Sequence, residues 1–254
     1  MNRESSTNIC DLRGQTAIVT GASKGLGRAI AETLANAGAR VGLIARTEAE
    51  LAEATRAIAR AGGEAFFRVC DVTDLNDLSA IAHDLPIPDI FINNAGVNAP
   101  QHFLDVDIET FDRLFGLNVR SAFFAAQAFA RRMHAAGGRG VIVNMSSQAG
   151  HVGLERRSVY CATKHAIEGL TKTMAMELAP AIRVVSIAPT FVETPLTRPY
   201  LEEADFRAYV DRNLLIDGLA SVDDVASAVL YLASPAARAV TGTSLRVDGG
   251  WTAH

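Results

Sequence analysis

Short apolar runs rich in β-branched residues recur at 16–20, 41–45, 65–70, 90–93, 141–145 and 184–188, each too short to be a helix. They predict buried strands. Between them stand longer Ala-, Leu- and Glu-rich segments, among them 28–37, 48–61 and 75–85, whose apolar positions follow a helical period. Composition adds helices at 158–178 and 222–233. Such alternation builds a parallel sheet, because right-handed crossovers return the chain to the same strand direction and lay helices on both faces. The predicted class is α/β, doubly wound. Two helix starts carry a capping-box spacing, Thr47 with Glu50 and, in weaker form, Ser221 with Asp224. One stretch, 194–218, interrupts the alternation with Pro195 and Pro199, and a long excursion of this kind predicts a lid over a site.

Hydrophobic residues make up 49% of the 254 and charged residues 20%, enough for a sizeable core and incompatible with disorder. No break in composition and no internal repeat divides the chain, so 1–254 is expected to be a single domain, with a polar tail over 1–12. The net charge of -4 is dispersed, which argues against nucleic-acid binding. The first ten residues have no signal-peptide core, and no run approaches the ~20 apolar residues that span a bilayer. A cytoplasmic protein without membrane contact is expected. Cys10, Cys70 and Cys161 lack C-x-x-C or metal-ligand spacing, and the six histidines are scattered, so reduced thiols and no metal site are expected.

Immediately after the first predicted strand comes Gly21-Ala22-Ser23-Lys24-Gly25-Leu26-Gly27, leading into a helix. Glycines there let backbone approach a pyrophosphate, and the helix N-terminus offers free N–H groups and partial positive charge. At the end of the second strand, where an acidic residue would bind a ribose 2′-hydroxyl, the chain instead reads Ile44-Ala45-Arg46. Without that carboxylate, Arg46 and Lys24 can accept a 2′-phosphate. NADP is therefore favoured over NAD, with NAD possible. Asp71, followed by Val72, ends the third strand and can accept from an adenine amino group or cap the next turn. Asn93-Asn94-Ala95-Gly96 closes the fourth strand, at the carboxyl edge where open α/β sheets bind ligands.

The fifth strand ends in Ser146-Ser147, and Tyr160 and Lys164 follow on the predicted helix, one turn apart on one face. A free tyrosine titrates near ~10, so a base near neutrality needs roughly 4 kcal/mol of phenolate stabilisation. One ammonium about 4 Å away, at an effective dielectric of about 20, supplies that much. Ser147 would hydrogen-bond the substrate oxygen where charge develops.

Taken together, Thr20-Gly21-x-x-x-Gly25-x-Gly27, Asn93-Asn94-Ala95-Gly96, Asn118, Ser147, Tyr160-x-x-x-Lys164 and Val247-Asp248-Gly249-Gly250 resemble the short-chain dehydrogenase/reductase family, from Gly14 to Gly250. The resemblance implies a Rossmann-type sheet with a seventh strand at 244–247, a homotetramer, and an NAD(P)-dependent enzyme interconverting a ketone and a secondary alcohol. It further implies that Tyr160 donates the proton, Ser147 orients the ketone, Lys164 also binds the nicotinamide ribose, and Asn118 holds a water leading from Lys164 to solvent. Where the family has Pro-Gly, this chain has Pro189-Thr190, so a backbone less free in its dihedrals is expected there. Val192 and Thr194 are carried over as nicotinamide carboxamide contacts beside Pro189.

The segment 150–157 lies between Ser147 and Tyr160 and should border the substrate. Its Arg156 and Arg157 suggest an anionic substrate, such as a carboxylate, a phosphate or a carrier-linked acyl group. His151 is a possible hydrogen-bond donor there, and Asn98, Gln101 and His102 are rim candidates. A 3-oxoacyl-carrier-protein reductase and an NAD-linked sugar, polyol or hydroxy-acid dehydrogenase remain open within the class. A nucleotide-using lyase or epimerase lacks its separate substrate domain here. A non-catalytic nucleotide sensor would have no need of the complete Ser147, Tyr160 and Lys164 set.

Overall fold

The computed structural model describes residues 9–194 and 197–253. Its centre is one parallel sheet of seven strands: β1 (Thr16–Thr20), β2 (Arg40–Ala45), β3 (Glu64–Val69), β4 (Ile90–Asn93), β5 (Gly140–Met145), β6 (Ile182–Pro189) and β7 (Ser244–Val247). They lie in the order β3-β2-β1-β4-β5-β6-β7. The chain winds outward from β1 to β3, then crosses back to β4 and winds the other way. At that reversal β1 and β4 are neighbours, and the connections leaving their carboxyl ends diverge, which opens a crevice.

Successive residues of a strand face opposite sides, so each strand feeds two cores. Val19, Leu43, Ile92, Val143 and Ile187 are buried under α1 (Gly25–Asn36), α2 (Glu48–Arg60) and α9 (Val222–Ala233). Ile18, Ile44, Phe91, Ile142 and Val184 are buried on the other side, under α3 (Leu75–Asp84), α5 (Ala122–Ala135) and α6 (Ser158–Glu177). There Phe91 and Phe129 pack with ring centroids 4.4 Å apart. Burying a side chain of this size contributes ~1.5–3 kcal/mol, which explains the unbroken apolar runs in the sequence.

Of the two expected capping boxes, one is absent and one is formed. Thr47 makes no side-chain cap bond to α2, because Glu50, the other half of the expected box, turns toward Lys24 (3.7 Å). The complete box is the one at Ser221, whose hydroxyl accepts from the Asp224 N–H (3.1 Å) while Asp224 accepts from the Ser221 N–H (2.8 Å). The excursion at 194–218 is not irregular: it contains α7 (Arg198–Leu201) and α8 (Ala204–Asn213). Pro199 sits in the first turn of α7, where a missing N–H costs nothing, while Pro195 lies outside the described residues. Leu201, Val210 and Leu214 pack with Ala149, Leu154, Cys161 and Trp251 in a third apolar cluster. Of the expected tail over 1–12, residues 1–8 lie outside the described part, and Leu12 is fully buried in the first core.

Candidate active site

Gly21 (φ 64°) and Gly25 (φ 56°) hold the left-handed backbone of the turn between β1 and α1. At Gly27 a Cβ would stand 2.2 Å from the Gly21 carbonyl oxygen and 2.5 Å from Asn94 Nδ2, so only glycine fits. Lys24, the N-cap of α1, provides no side-chain cap bond. The first-turn N–H groups, from Gly25, Leu26 and Gly27, are thus free of an intrahelical partner, which suits a phosphate. Ser23 is buried in the turn, and Thr194 stands over Gly25, 3.7 Å from a Cβ built there.

The amides closing β4 brace this turn rather than project from it. Asn94 Nδ2 donates to the carbonyls of Thr20 (2.8 Å) and Gly21 (3.3 Å), and the N–H groups of Asn94 and Ala95 donate to Thr20 Oγ1. Asn93 points into the interior, donating to Ala122 O (2.8 Å) and Asn144 Oδ1 (3.2 Å). After β3, Asp71 accepts from the Thr73 N–H (3.0 Å) and hydroxyl (2.8 Å), so it caps the next turn as expected, a role compatible with a further acceptor role. Those bonds and the nearby Arg46 guanidinium hold its carboxyl below the ordinary range against the opposing effect of partial burial. Val72 is buried beside it. Arg46 is exposed, and Lys24 shares its charge with Glu50.

Ser147, Tyr160, Lys164 and Asn118 converge at the carboxyl edge of β5. Ser147 Oγ accepts from the Ala149 N–H (3.1 Å) and donates to Pro189 O (3.5 Å), which fixes it at the start of a 3-10 turn. Lys164 is buried, donates to Met145 O (2.8 Å) and stands 5.6 Å from the centre of the Tyr160 ring. The expected acidification of the phenol by this ammonium is not what the polypeptide supplies. Burial raises the Tyr160 pKa, opposed by its hydrogen bond with Ser147 and by the Arg157 charge. Burial likewise lowers Lys164 from 10.5 to about 8, opposed by Glu168. Two ionisable groups in one dry site both move toward their neutral forms.

Asn118 lies in a π-helical turn, Gly116–Ser121, between α4 (Ile108–Phe115) and α5. Its Oδ1 accepts from the Val97 N–H (2.8 Å), and its Nδ2 donates to Val97 O (2.8 Å) and Thr163 Oγ1 (3.1 Å). A Cβ on Gly96 would stand 3.3 Å from Asn118 Oδ1 and 3.7 Å from Lys164 Nζ, so the missing side chain leaves these polar groups facing a gap.

Beside them is a cleft walled by Asn98, Gln148, Leu154, Arg157, Thr190, Phe191, Thr197 and Tyr200, with Ser147 and Tyr160 at its base. Sequence reasoning gave no role to Gln148 or Phe191, whereas Leu154 belongs to the segment expected to border the substrate and Thr197 and Tyr200 to the segment expected to cover it. Among the rim candidates only Asn98 reaches the cleft. Gln101 Nε2 bonds Asp107 Oδ2 (3.4 Å), and His102 Nδ1 accepts from the Leu104 N–H (3.4 Å). His151 bonds Ser244 Oγ (3.1 Å) and sits 3.3 Å from Glu168, away from the cleft. The two arginines part company: Arg157 is buried in the cleft wall and Arg156 is exposed. Thr190 needs no glycine-like dihedral, since Arg156 (φ 59°) is the only non-glycine with positive φ among the described residues. Val192 is buried, and its carbonyl accepts from the Thr197 hydroxyl, which also accepts from the Thr194 N–H (2.9 Å).

A family model described as enoyl-(acyl carrier protein) reductase matches residues 21–252. L-xylulose reductase of Bos taurus is 41% identical over 248 residues, covering 95% of this chain and 98% of that protein. D-erythrulose reductase of Gallus gallus is 40% identical over 248 residues, covering 94% and 96%. Among solved structures, a gluconate 5-dehydrogenase from Burkholderia cenocepacia, in complex with NADP and tartrate, superposes with a TM-score of 0.93 at 31% identity, covering 97% of this chain and 98% of that one.

Proposed function

Since the chain belongs to the short-chain dehydrogenase/reductase family of oxidoreductases, we propose that it is an NADP(H)-dependent enzyme interconverting a ketone and a secondary alcohol on a small polyhydroxylated substrate. The observation that carries this reading is Ser147 and Tyr160 together in the lining of one cleft, with Lys164 buried on the next turn of α6. The names of the sugar reductases and dehydrogenase above support the substrate class.

A nicotinamide dinucleotide, when bound, supplies or accepts the hydride. Its pyrophosphate fits the uncapped first turn of α1 at Gly25, Leu26 and Gly27, with Ser23 and Gly21 shaping the turn and Thr194 above. Arg46 and Lys24 would hold a 2′-phosphate at the end of β2, where Ala45 stands in place of a carboxylate and Lys24 would exchange Glu50 for the phosphate. Asp71 and Val72 border the adenine corner, and Asn94, Ala95 and Gly96 keep the central gap narrow. Pro189, Val192 and Thr194 close the nicotinamide end, and Lys164 reaches toward the adjoining ribose.

In the reduction direction Ser147 donates to the carbonyl oxygen and Tyr160 delivers its proton there. Burial keeps the phenol protonated near neutrality, the form an acid needs. Lys164, when charged, favours the phenolate left once the proton has gone, and Asn118 holds the loop at Val97 beside it. The segment 194–218, with α7 and α8, acts as a lid, and 1–254 forms one catalytic domain. In this reading the protein works in the cytoplasm as a homotetramer, for which the exposed Phe111, Phe123 and Phe124 of α4 and α5 offer apolar surface to bury.

The test is a screen of ketones and alcohols with NADP(H) and NAD(H), followed by nicotinamide absorbance, on the native protein and Tyr160→Phe. General acid catalysis contributes ~10²–10⁴-fold, so the variant should lose about that factor in kcat while binding nucleotide as before. Native-like turnover in the variant, with chemistry rate-limiting, would refute the assignment.

A further inference from the structure

Two half-buried arginines elsewhere among the described residues are satisfied by backbone. Arg183 donates to the carbonyls of Leu232 (2.9 Å), Val240 (3.1 Å) and Ser234 (3.5 Å), and Arg132 donates to those of Ala82 and Leu85. Arg157 differs. It is only 7% exposed, the one hydrogen bond of its side chain among the described residues is a long one from Nη1 to Glu155 O (3.3 Å), and its Nε is buried with no partner there. No carboxylate pairs with it among the described residues. An uncompensated buried charge costs several kcal/mol, and guanidinium does not escape that cost by losing its proton.

The guanidinium is instead held by aromatic rings, with its Cζ 5.0 Å from the centre of Phe206, 5.4 Å from Phe191 and 5.9 Å from Tyr200. Such contacts stabilise a desolvated cation while leaving N–H groups to an acceptor. The same cleft contains more buried polar atoms without partners: Thr190 Oγ1, Asn98 Oδ1, and both Nε2 and Oε1 of Gln148. Buried polar groups are ordinarily paired, so a cluster of exceptions around one cavity marks groups that a ligand completes.

We infer that Arg157 is the receptor for a carboxylate on the substrate, and that Thr190, Asn98 and Gln148 bind its hydroxyl groups, so the enzyme selects polyhydroxylated oxo acids over neutral ketoses. This deepens the redox reading above and rests on it for turnover. One guanidinium balances one unit charge, and its planar fork matches a carboxylate. A phosphate dianion would leave charge uncompensated against Phe191, Leu154 and neutral amides. Arg156, exposed on the solvent side of its left-handed turn, takes no part.

The test compares kcat/KM for reduction of a 5-oxohexonate and of the neutral ketohexose, in the native enzyme, Arg157→Met and Arg157→Lys at pH 7. Tyr160 remains protonated there in all three, so loss of the Arg157 charge does not itself disable the acid. The native enzyme should prefer the oxo acid. Truncating one partner of a buried charged pair typically costs 2–5 kcal/mol, so Arg157→Met should lose about 30-fold or more on the oxo acid, with a much smaller loss on the neutral ketose and Arg157→Lys intermediate. Equal losses on both substrates, or a native preference for the neutral ketose or a sugar phosphate, would overturn the proposal. Calorimetric binding of gluconate to the protein with NADP gives a readout independent of turnover: binding by the native protein and by Tyr160→Phe, lost in Arg157→Met, is expected. Gluconate binding that survives in a folded Arg157→Met would sink the anion site even if the redox reading stands. If binding follows Arg157 while no ketone or alcohol is turned over, the redox reading fails instead.

Discussion

Replacing Lys164 with methionine should make the protein more stable at neutral pH and less active, and the size of the effect follows from burial. Burial brings the amine from 10.5 to about 8. By linkage that change corresponds to about 3 kcal/mol by which folding disfavours the charged form. The sign is determined by proton counts. Below pH 8 folded and unfolded chains both hold the proton, and the native protein bears the whole penalty. Between pH 8 and 10.5 the unfolded chain holds a proton that the folded one has released, so stability rises with pH, and above 10.5 the penalty is gone. Methionine removes the charge at similar volume but leaves Met145 O without its donor, a loss of about 1 kcal/mol. The net gain at pH 7 is then about 2 kcal/mol, or about 4–8 °C in Tm for a chain of this size. Thermal unfolding at pH 7 and pH 10.5, without nucleotide, checks it. The gain should vanish or reverse at the higher pH. A variant that melts lower than the native protein at pH 7, or a gain independent of pH, would show that Lys164 is better solvated than its burial implies.

Other substitutions test the frame around the site. Gly27→Ala places a Cβ 2.2 Å from the Gly21 carbonyl; overpacking of this kind costs ~1–3 kcal/mol, so a lower Tm and loss of nucleotide binding by fluorescence titration are expected. Ser221→Ala breaks an observed capping box and should cost ~1 kcal/mol in chemical denaturation, whereas Thr47→Ala should cost far less for want of a cap bond. Ala45→Asp puts a carboxylate beside Arg46 at the end of β2. It should lower kcat/KM with NADPH and raise it with NADH, and an unchanged ratio would make Arg46 and Lys24 bystanders.

The strand and helix pattern was readable because burial on both faces of a parallel strand leaves a continuous apolar run. The predicted strands at 16–20 and 90–93 match β1 and β4. Tyr160 and Lys164 were readable as neighbours because α6 places residues four apart on one face. Asn118 stood out only through family resemblance, since a π-helical turn has no sequence period and its partner Val97 lies on another segment. The caps Asp74 and Asp107 were likewise passed over, though each accepts backbone N–H bonds at a helix start.

Local period and residue chemistry thus sufficed for strands β1 to β6, the glycine-rich turn after β1 and the placing of Tyr160 and Lys164 on one helix face, because each depends on neighbours in sequence. Charge state and direction did not follow from them. Whether Tyr160 is acidified or made more basic depends on desolvation by segments far along the chain. One left-handed residue, Arg156, separates two adjacent arginines into a solvated one and a buried one. Pairing, burial and the sharing of a dry cavity are properties of the packed chain, and only packing decided them.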